Sequence, residues 1–273
     1  MKTKAKGALL SLGVCFVISQ SASAVSLVPI YTENFEGGTV GAAINTLNTA
    51  TGVPWTDSAA SNTSVGSIQN TSSAFGAGNK YYQYSRTSGG FNFLGNTQPD
   101  PLAGVAMLSF DAYFGTGDWT ADGYLRIVAE GDVNGTVGSN TSSSLRYIDI
   151  GNTTGLQEGT DFNFDQVVHF DIVANLSGGS FSYDFGSISS TLATGTVDVF
   201  VNGTNKLNDA AMNLGGTAGS TGISGFNFWL SSTAGNPANQ ILIDNVSVSV
   251  PEPSSLCLVG LGSLGLLARR RRK

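Results

Sequence analysis

The sequence predicts an all-β protein, folded as an antiparallel two-sheet β-sandwich. Short runs of aromatic and β-branched residues alternate with polar residues, and Gly, Ser, Thr and Asn separate the runs. No segment of the sequence repeats its apolar residues at a helical period. The dipeptide Asn202-Gly203 follows one of the alternating runs and is typical of a tight hairpin turn.

The individual strands follow from runs in which every second residue is apolar. The clearest runs are residues 108–114, 168–176, 196–201, 226–230 and 242–250. Further candidate strands are residues 30–35, 80–86, 124–130, 145–150 and 180–185. Because each run has one apolar and one polar face, we expect antiparallel strands that are buried on one side.

The first of three predicted parts is a signal peptide over residues 1–24. A basic start with three lysines, an apolar run and the small residues of Ala22-Ser23-Ala24 give the pattern that signal peptidase recognises. We expect cleavage after Ala24. The β-sandwich domain is then predicted to span residues 25–250.

Residues 251–273 form the third part, with three pieces in a fixed order. Pro251-Glu252-Pro253 is expected to be extended and open to a processing enzyme, because proline disfavours helix in the residue before it. Residues 254–268 follow; these fifteen uncharged residues are fewer than the roughly 20 of a spanning helix. A cluster of cations then holds the C-terminus on the cytoplasmic side: Arg269, Arg270, Arg271, Arg272 and Lys273.

This order of pieces resembles the PEP-CTERM sorting signal of Gram-negative bacteria. The resemblance implies recognition by an exosortase and a precursor held transiently in the inner membrane. It also implies release or attachment at the cell surface or in an exopolysaccharide matrix. The alternative is an ordinary C-terminal membrane anchor, but the short, glycine-rich span favours sorting.

Cysteine and charge usage restrict the chemistry of residues 25–250. The two cysteines, Cys15 and Cys257, lie outside this span, so the domain has no disulfide or thiol chemistry. The span carries 5 Lys or Arg and 18 Asp or Glu, which gives a net charge of −13. Such a surface disfavours nucleic acid and anionic lipid as partners.

Three short segments resemble pieces of the concanavalin-like and carbohydrate-binding jelly-roll domains. They are Asn34-Phe35-Glu36, residues 197–203 and residues 243–246. The resemblance implies a two-sheet, jelly-roll-like sandwich and, more weakly, sugar binding. Sandwiches of this kind carry many unrelated functions, so the function has to be inferred from the residues of the site and not from the fold.

Asp244 interrupts the apolar face of the last predicted strand, which it shares with Leu242, Val246 and Val248. A carboxylate that faces a core is costly unless it is hydrogen-bonded or binds a metal. In related jelly rolls, acids near the first and last strands hold a structural calcium. That resemblance suggests Glu33, Glu36 and Asp244 as metal ligands. The alternatives are a β-bulge that turns Asp244 outward and a carboxylate that accepts backbone amides.

Aromatic residues in turn-rich stretches are candidates for stacking on sugar rings. Trp55 and Trp119 lie in such stretches, and the alternative for both is that they cap the edges of the core. The single histidine, His169, is expected to be an exposed strand residue that points away from Asp171. No spacing of acids singles out a glycosidase pair, and no Gly-x-Ser-x-Gly elbow is present. The sequence therefore predicts no catalytic residue.

The leading functional prediction is a non-enzymatic structural or adhesive component of the cell surface or exopolysaccharide matrix. The first alternative is a calcium-dependent carbohydrate-binding module. The second is a polysaccharide-active enzyme. The predicted partners are signal peptidase, the exosortase and an exopolysaccharide or other glycan.

Overall fold

The computed structural model describes residues 24–43, 55–59, 66–86, 90–97, 103–115, 123–129, 144–150, 156, 159–211, 222–232 and 239–252. These residues form fifteen β-strands, and no helix occurs among them. Consequently this part of the chain contains no helix long and apolar enough to cross a membrane. The all-β prediction is confirmed, and every strand pair within the three sheets is antiparallel.

The large sheet contains eight strands. They are β1 (Leu27–Glu33), β3 (Gly66–Gln69), β4 (Tyr81–Arg86), β6 (Val105–Phe114), β9 (Val167–Asn175), β12 (Thr196–Val201), β13 (Thr204–Ala211) and β15 (Asn239–Pro251). Their order is β13-β12-β9-β6-β15-β4-β3, and β1 also pairs with β15. The strand β15 is long enough to pair with β4 through its first half and with β1 through its second half.

The second sheet contains five strands, and a separate hairpin contains two. The second sheet has the order β2-β5-β14-β7-β8. Its strands are β2 (Trp55–Ala59), β5 (Gly90–Thr97), β7 (Gly123–Ala129), β8 (Ser144–Ile150) and β14 (Ile223–Ser232). The hairpin pairs β10 (Phe181–Phe185) with β11 (Ile188–Leu192).

The main core lies on one face of the large sheet, which we call the core face. Alternate residues of the central strands point into it, as the sequence pattern predicts. Phe110 of β6 and Phe170 of β9 stack with ring centroids 5.2 Å apart, and Ile243 of β15 is fully buried beside them. Ile223, at the start of β14, also packs into this core, so the second sheet joins the large sheet on this face.

The hairpin β10–β11 covers part of the opposite, outer face of the large sheet. Its residues Tyr183 and Leu192 are fully buried against Phe200 of β12 and Val173 of β9. Leu27 packs at the edge of this second, smaller core. Next to this smaller core, the outer face carries polar side chains on β6, β9 and β15, and these form the site described below.

Each of the ten predicted strands overlaps a strand of the structure, and the predicted range 196–201 coincides with β12. The hairpin prediction is also confirmed, because Asn202 and Gly203 join β12 to β13 with φ of 49° and 76°. Strands β2, β3, β5, β11 and β13 were not predicted. Trp55 begins strand β2, where it pairs with Asn96, and does not lie in a loop.

Several predictions lie outside the described residues. They are the signal peptide with Ala22, the part of the tail from Pro253 to the arginine cluster, and Trp119. Ala24 is described, and the chain forms an isolated bridge to β10 at the next residue, Val25.

Candidate functional site

A β-bulge in β15 places Asp244 and Asn245 on the outer face of the large sheet. The register between β15 and β6 shifts between Asp244 and Ser247, and Asn245 adopts a positive φ of 51°. Because of the extra residue, Ile243 and Val246 both face the core. A bulged residue with positive φ suits Asn, which tolerates the left-handed region better than most residues.

The expectation that Asp244 shares the apolar face of Val246 and Val248 is therefore wrong. The two alternatives from the sequence are both confirmed, since Asp244 lies at a bulge and its Oδ1 accepts the backbone N–H of Asn245 at 2.8 Å. Its Oδ2 accepts the side-chain amide of Asn79 at 2.6 Å. Asp244 is nevertheless only 2% exposed, so it is an anchored, buried carboxylate and not a solvated one.

A row of hydrogen-bonded polar side chains crosses the outer face from β15 to β9. We call it the polar row: Ser109, Asp111, His169, Asp171 and Asn245. Asn245 Nδ2 donates to Asp111 Oδ2 at 2.8 Å, and Asp111 Oδ1 lies 2.6 Å from His169 Nδ1. His169 Nε2 lies 3.2 Å from the Asp171 carboxylate, and Ser109 Oγ donates to Asp171 Oδ1 at 2.6 Å. The polar row therefore ties together three neighbouring strands.

The expectation that His169 points away from Asp171 is wrong. Residues two apart in a strand project from the same face, so the two side chains are neighbours. The register adds a second carboxylate, because His169 lies directly opposite Asp111 and Asp171 lies directly opposite Ser109. Sequence reasoning missed this site because the pairing of β6 with β9 joins residues 58 positions apart.

The two flanking carboxylates change the titration of the histidine. Hydrogen bonds to Asp111 and Asp171 raise the pKa of His169 to about 10, although its partial burial acts in the opposite direction. Burial of Asp111 opposes ionisation, but the hydrogen bonds from His169 and Asn245 outweigh it and lower the pKa of Asp111. The imidazole is therefore charged at neutral pH, with both ring nitrogens engaged.

Asp244 has the opposite tendency. Burial raises its pKa to about 6, despite the hydrogen bonds from Asn79 and Asn245. The nearby charges of Asp111 and Glu36 act in the same direction as burial. On the outer face, Asp111 therefore has a lowered pKa and Asp244 a raised pKa.

The loop after β1 meets the residues before β4 at a corner beside Asp244. Lys80 Nζ donates to the carbonyl oxygens of Glu36 and Gly38, both at 2.9 Å. The backbone N–H of Lys80 donates to Glu36 Oε1 at 2.8 Å. The preceding residue, Asn79, binds Asp244. Lys80 and Asn79 therefore link the loop after β1 to β15.

The three predicted calcium ligands lie at or near this corner, but each carboxylate already accepts a hydrogen bond. Glu33 Oε1 accepts the N–H of Phe35 at 2.7 Å, and burial raises the pKa of Glu33. Within the described part of the chain, no three His, Cys, Asp or Glu residues come close enough to hold a metal ion. The Lys80 ammonium binds the carbonyls that a calcium ion would use. The residues present do not fit a preformed calcium site, and calcium binding stays a prediction.

A shallow groove of about 310 Å³ lies next to the polar row, between the end of β1 and the bulge in β15. It is lined by Thr32, Glu33, Asn34, Asn245, Val246 and Ser247. Its volume is at the lower limit of typical small-molecule sites, which is roughly 300 Å³. Asn245 belongs to both the groove and the polar row, so the two features form one continuous polar surface.

The strand β15 continues into the first residue of the predicted processing tripeptide. Pro251 is its last residue and lies opposite Leu27 of β1. The backbone N–H of Glu252 donates to the carbonyl of Ser26 at 3.0 Å, while the Glu252 side chain is exposed. Pro251 is extended, as predicted, and Pro253 lies outside the described residues. The expectation that the tripeptide is open is wrong for the backbone of Pro251 and Glu252, because β1 occupies that edge.

Comparison with known families decides what this segment is. Residues 249–273 match the PEP-CTERM protein-sorting motif. The chain ends in a PEP-CTERM sorting motif. The match begins two residues before Pro251 and covers the apolar span and the arginine cluster. A search of curated proteins found no significant match to the chain.

Solved structures with a similar arrangement of strands share little sequence with this chain. Cellulose induced protein Cip1 is 15% identical over 80% of this chain and 95% of its own, with a TM-score of 0.48. Domain 4 of the arabinanase AbnA from Geobacillus stearothermophilus is 11% identical over 84% and 94%, with a TM-score of 0.42. The family 11 carbohydrate-binding module of Lic26A-Cel5E from Clostridium thermocellum is 14% identical over 84% and 96%, with a TM-score of 0.34. All three TM-scores are below 0.5.

Proposed function

We propose that the chain is the precursor of an exported structural or adhesive protein, which an exosortase sorts to the cell surface or exopolysaccharide matrix of a Gram-negative bacterium. The PEP-CTERM motif at residues 249–273 is the observation that carries this proposal. The net charge of −13 over residues 25–250 supports it, because a strongly acidic body stays soluble and apart from anionic membrane surfaces.

The proposal is tested by replacing Pro251, Glu252 and Pro253 together with alanine. In cells that hold the exosortase, we expect this variant to keep its tail and to fractionate with the inner membrane. The wild type is expected to lose the tail and leave that membrane. The matched control is Asp184→Ala, which removes an exposed acid far from the tail in sequence. An unchanged mature mass and location in the triple variant would refute exosortase sorting.

A second candidate function is carbohydrate binding on the outer face of the large sheet. The polar row and the adjoining groove offer carboxylate oxygens and side-chain amides, which suit the hydroxyl groups of a sugar. Tyr113 lies two residues beyond Asp111 on the same strand and is only partly covered, so its ring is available for stacking. The stacking of a sugar on Trp55 or Trp119 remains a separate prediction.

The state of His169 favours binding over hydrolysis at this surface. A histidine that stays protonated and has both ring nitrogens hydrogen-bonded is unsuited to act as a general base. The enzyme alternative from the sequence therefore gains no support from this cluster.

Retention of the mature protein on immobilised polysaccharides tests the second candidate. We expect Asp111→Ala and Tyr113→Ala to lose retention and Asp184→Ala to keep it. Running each column with calcium and with chelator separates a calcium-dependent module from a calcium-independent one. Equal retention of all three variants would exclude this face as the glycan site.

A further inference from the structure

The final strand pair of the large sheet brings the two predicted processing sites together. Val28 lies opposite Val250, Leu27 lies opposite Pro251, and the N–H of Glu252 donates to the carbonyl of Ser26 at 3.0 Å. The residues that follow the predicted signal-peptidase site are thus paired with the first residues of the sorting tripeptide. The two segments are therefore joined by regular antiparallel strand pairing.

Pro251 is compatible with this strand pairing. In an antiparallel ladder, hydrogen-bonded and non-hydrogen-bonded residue pairs alternate. Because Glu252 and Ser26 form a hydrogen-bonded pair, Pro251 and Leu27 form a non-hydrogen-bonded one, and the missing N–H of Pro251 costs no bond to β1. That missing N–H faces the β6 side instead, where pairing ends at Ser249 and Met107. Proline therefore ends the ladder with β6 but preserves the ladder with β1.

The start of β1 is itself held in place. The N–H of Val25 donates to the carbonyl of Ser182 at 3.1 Å, and Val25 forms a parallel bridge with Tyr183. Leu27 packs against the small core beneath the hairpin β10–β11. The part of β1 that pairs with the tripeptide is therefore also held by the hairpin β10–β11.

Peptidases and other recognition proteins bind extended segments through free backbone N–H and C=O groups, often by adding a strand to an open edge. In the folded chain, β1 already occupies that edge at Pro251 and Glu252. We propose that β1 gates removal of the tail, so that processing occurs only when β1 is detached from β15. This rests on the proposed sorting function. Tail hydrolysis consumes one water and leaves a carboxylate on the body and an amine on the tail.

Because of this topology, the tripeptide is unpaired for a period during export. Among the described strands, β1 is the first and its partner in the large sheet, β15, is the last. Pairings between such distant segments form late, because the loop that they close is long. The tripeptide is therefore free when it first leaves the membrane and becomes masked once the sandwich closes.

Hydrogen exchange of the full-length precursor in detergent tests the masking without any processing enzyme. We expect the amide of Glu252 to be protected in the wild type. Inserting Gly-Ser-Gly-Ser between Val250 and Pro251 should bring it to the rate of a free peptide. The same insertion between Gly186 and Ser187, at the tip of β10–β11, is the control and should leave Glu252 protected. Free exchange of Glu252 in the wild type would overturn the proposal.

Adding folded, purified precursor to membranes that hold the exosortase tests the gate itself, because it leaves out the period of export in which the tripeptide is free. The insertion after Val250 should speed tail removal roughly five-fold or more, since loss of even one backbone hydrogen bond shifts local opening by about that factor. A disulfide between Val28→Cys and Val250→Cys, in a Cys257→Ser background, should stop tail removal until reductant is added. Processing of the locked variant at the wild-type rate would refute gating. Failure of the wild type to lose its tail in cells that hold the exosortase would instead refute the sorting function.

Discussion

The Nδ1 atom of His169 lies 2.6 Å from Oδ1 of Asp111, and the two residues face each other on the central strands β9 and β6. Asp111 also accepts an amide hydrogen from Asn245 of β15 at 2.8 Å. This charged pair therefore joins three neighbouring strands on the outer face. Its contribution to stability depends on the protonation of the imidazole, so pH is the natural probe.

Replacing His169 with Gln should reduce stability in a pH-dependent way. The pKa of His169 is raised from 6.5 to about 10 in the folded protein, first by its hydrogen bond to Asp111 and then by that to Asp171. A raised pKa means that the stabilisation is fully present below pH 6.5 and is lost as the pH rises through about 10. Denaturant unfolding should therefore show wild type and His169→Gln converging between these two values.

The imidazole itself gives the control for this prediction. His169 is the single histidine of the chain, so its ring signals in an NMR titration need no assignment. We expect them to shift near pH 10. A midpoint near 6.5 would contradict the charged pair, and so would an unfolding difference that does not change with pH.

Removing the Asp244 carboxylate should destabilise the protein. Asp244→Ala removes the shorter of two hydrogen bonds from the Asn79 side-chain amide, which keeps the Lys80 carbonyl at 3.4 Å, and it removes the carboxylate that accepts the backbone N–H of Asn245. The lost carboxylate is only 2% exposed. We expect a loss of about 1–3 kcal/mol in the free energy of unfolding. The control is Asp184→Ala, at an exposed position, which should change it by less than about 0.5 kcal/mol. A similarly small effect at Asp244 would mean that the bulge leaves this acid in solvent.

Replacing Asp244 with Asn should remove a second pH dependence. Burial raises the pKa of Asp244 from 3.8 to about 6, so the folded protein binds a proton that the unfolded chain releases. The wild type should therefore lose stability relative to Asp244→Asn as the pH rises from about 4 to about 6. Parallel unfolding curves for the two proteins across this range would contradict the raised pKa.

The buried hydroxyl of Tyr183 should be needed to hold the hairpin β10–β11 on the large sheet. It donates to Asp198 Oδ2 at 2.6 Å, and both residues are fully buried. Tyr183→Phe should cost about 1–2 kcal/mol, because a buried carboxylate oxygen loses one of its two donors. Tyr113→Phe is the control, since the Tyr113 hydroxyl binds Asp165 in an exposed setting. Equal unfolding free energies for the two variants would contradict this role.

The fold could be predicted from the sequence wherever one face of a strand is uniformly apolar. Val197, Val199 and Val201 give β12 its correct bounds, and Asn202-Gly203 gives the turn that follows. Strand β15 follows the same rule up to Ile243 and again from Val246. The alternation of apolar and polar residues does not reveal the bulge, which adds one residue between Ile243 and Val246. Asp244 was therefore assigned to the wrong face of the strand.

The polar row could not be predicted in the same way. Asp111 and Asp171 each lie in a strand that was predicted correctly, but their proximity to His169 depends on how β6 and β9 align. That alignment is set by packing on the core face, where Phe110 stacks on Phe170. The same holds for Lys80 and Asn79, whose partners in the loop after β1 and in β15 are distant in sequence.

The corner around Lys80 provides the sharpest test of calcium binding. In Lys80→Met the carbonyls of Glu36 and Gly38 lose the ammonium that donates to them, while the carboxylate of Glu36 remains close by. Calcium binds carbonyl and carboxylate oxygens, so ammonium and calcium compete for the same groups. Calcium should therefore raise the Tm of Lys80→Met more than that of the wild type, with chelator as the reference. An equal rise in both proteins would place calcium elsewhere, and no rise in either would exclude a calcium site at Glu33, Glu36 and Asp244.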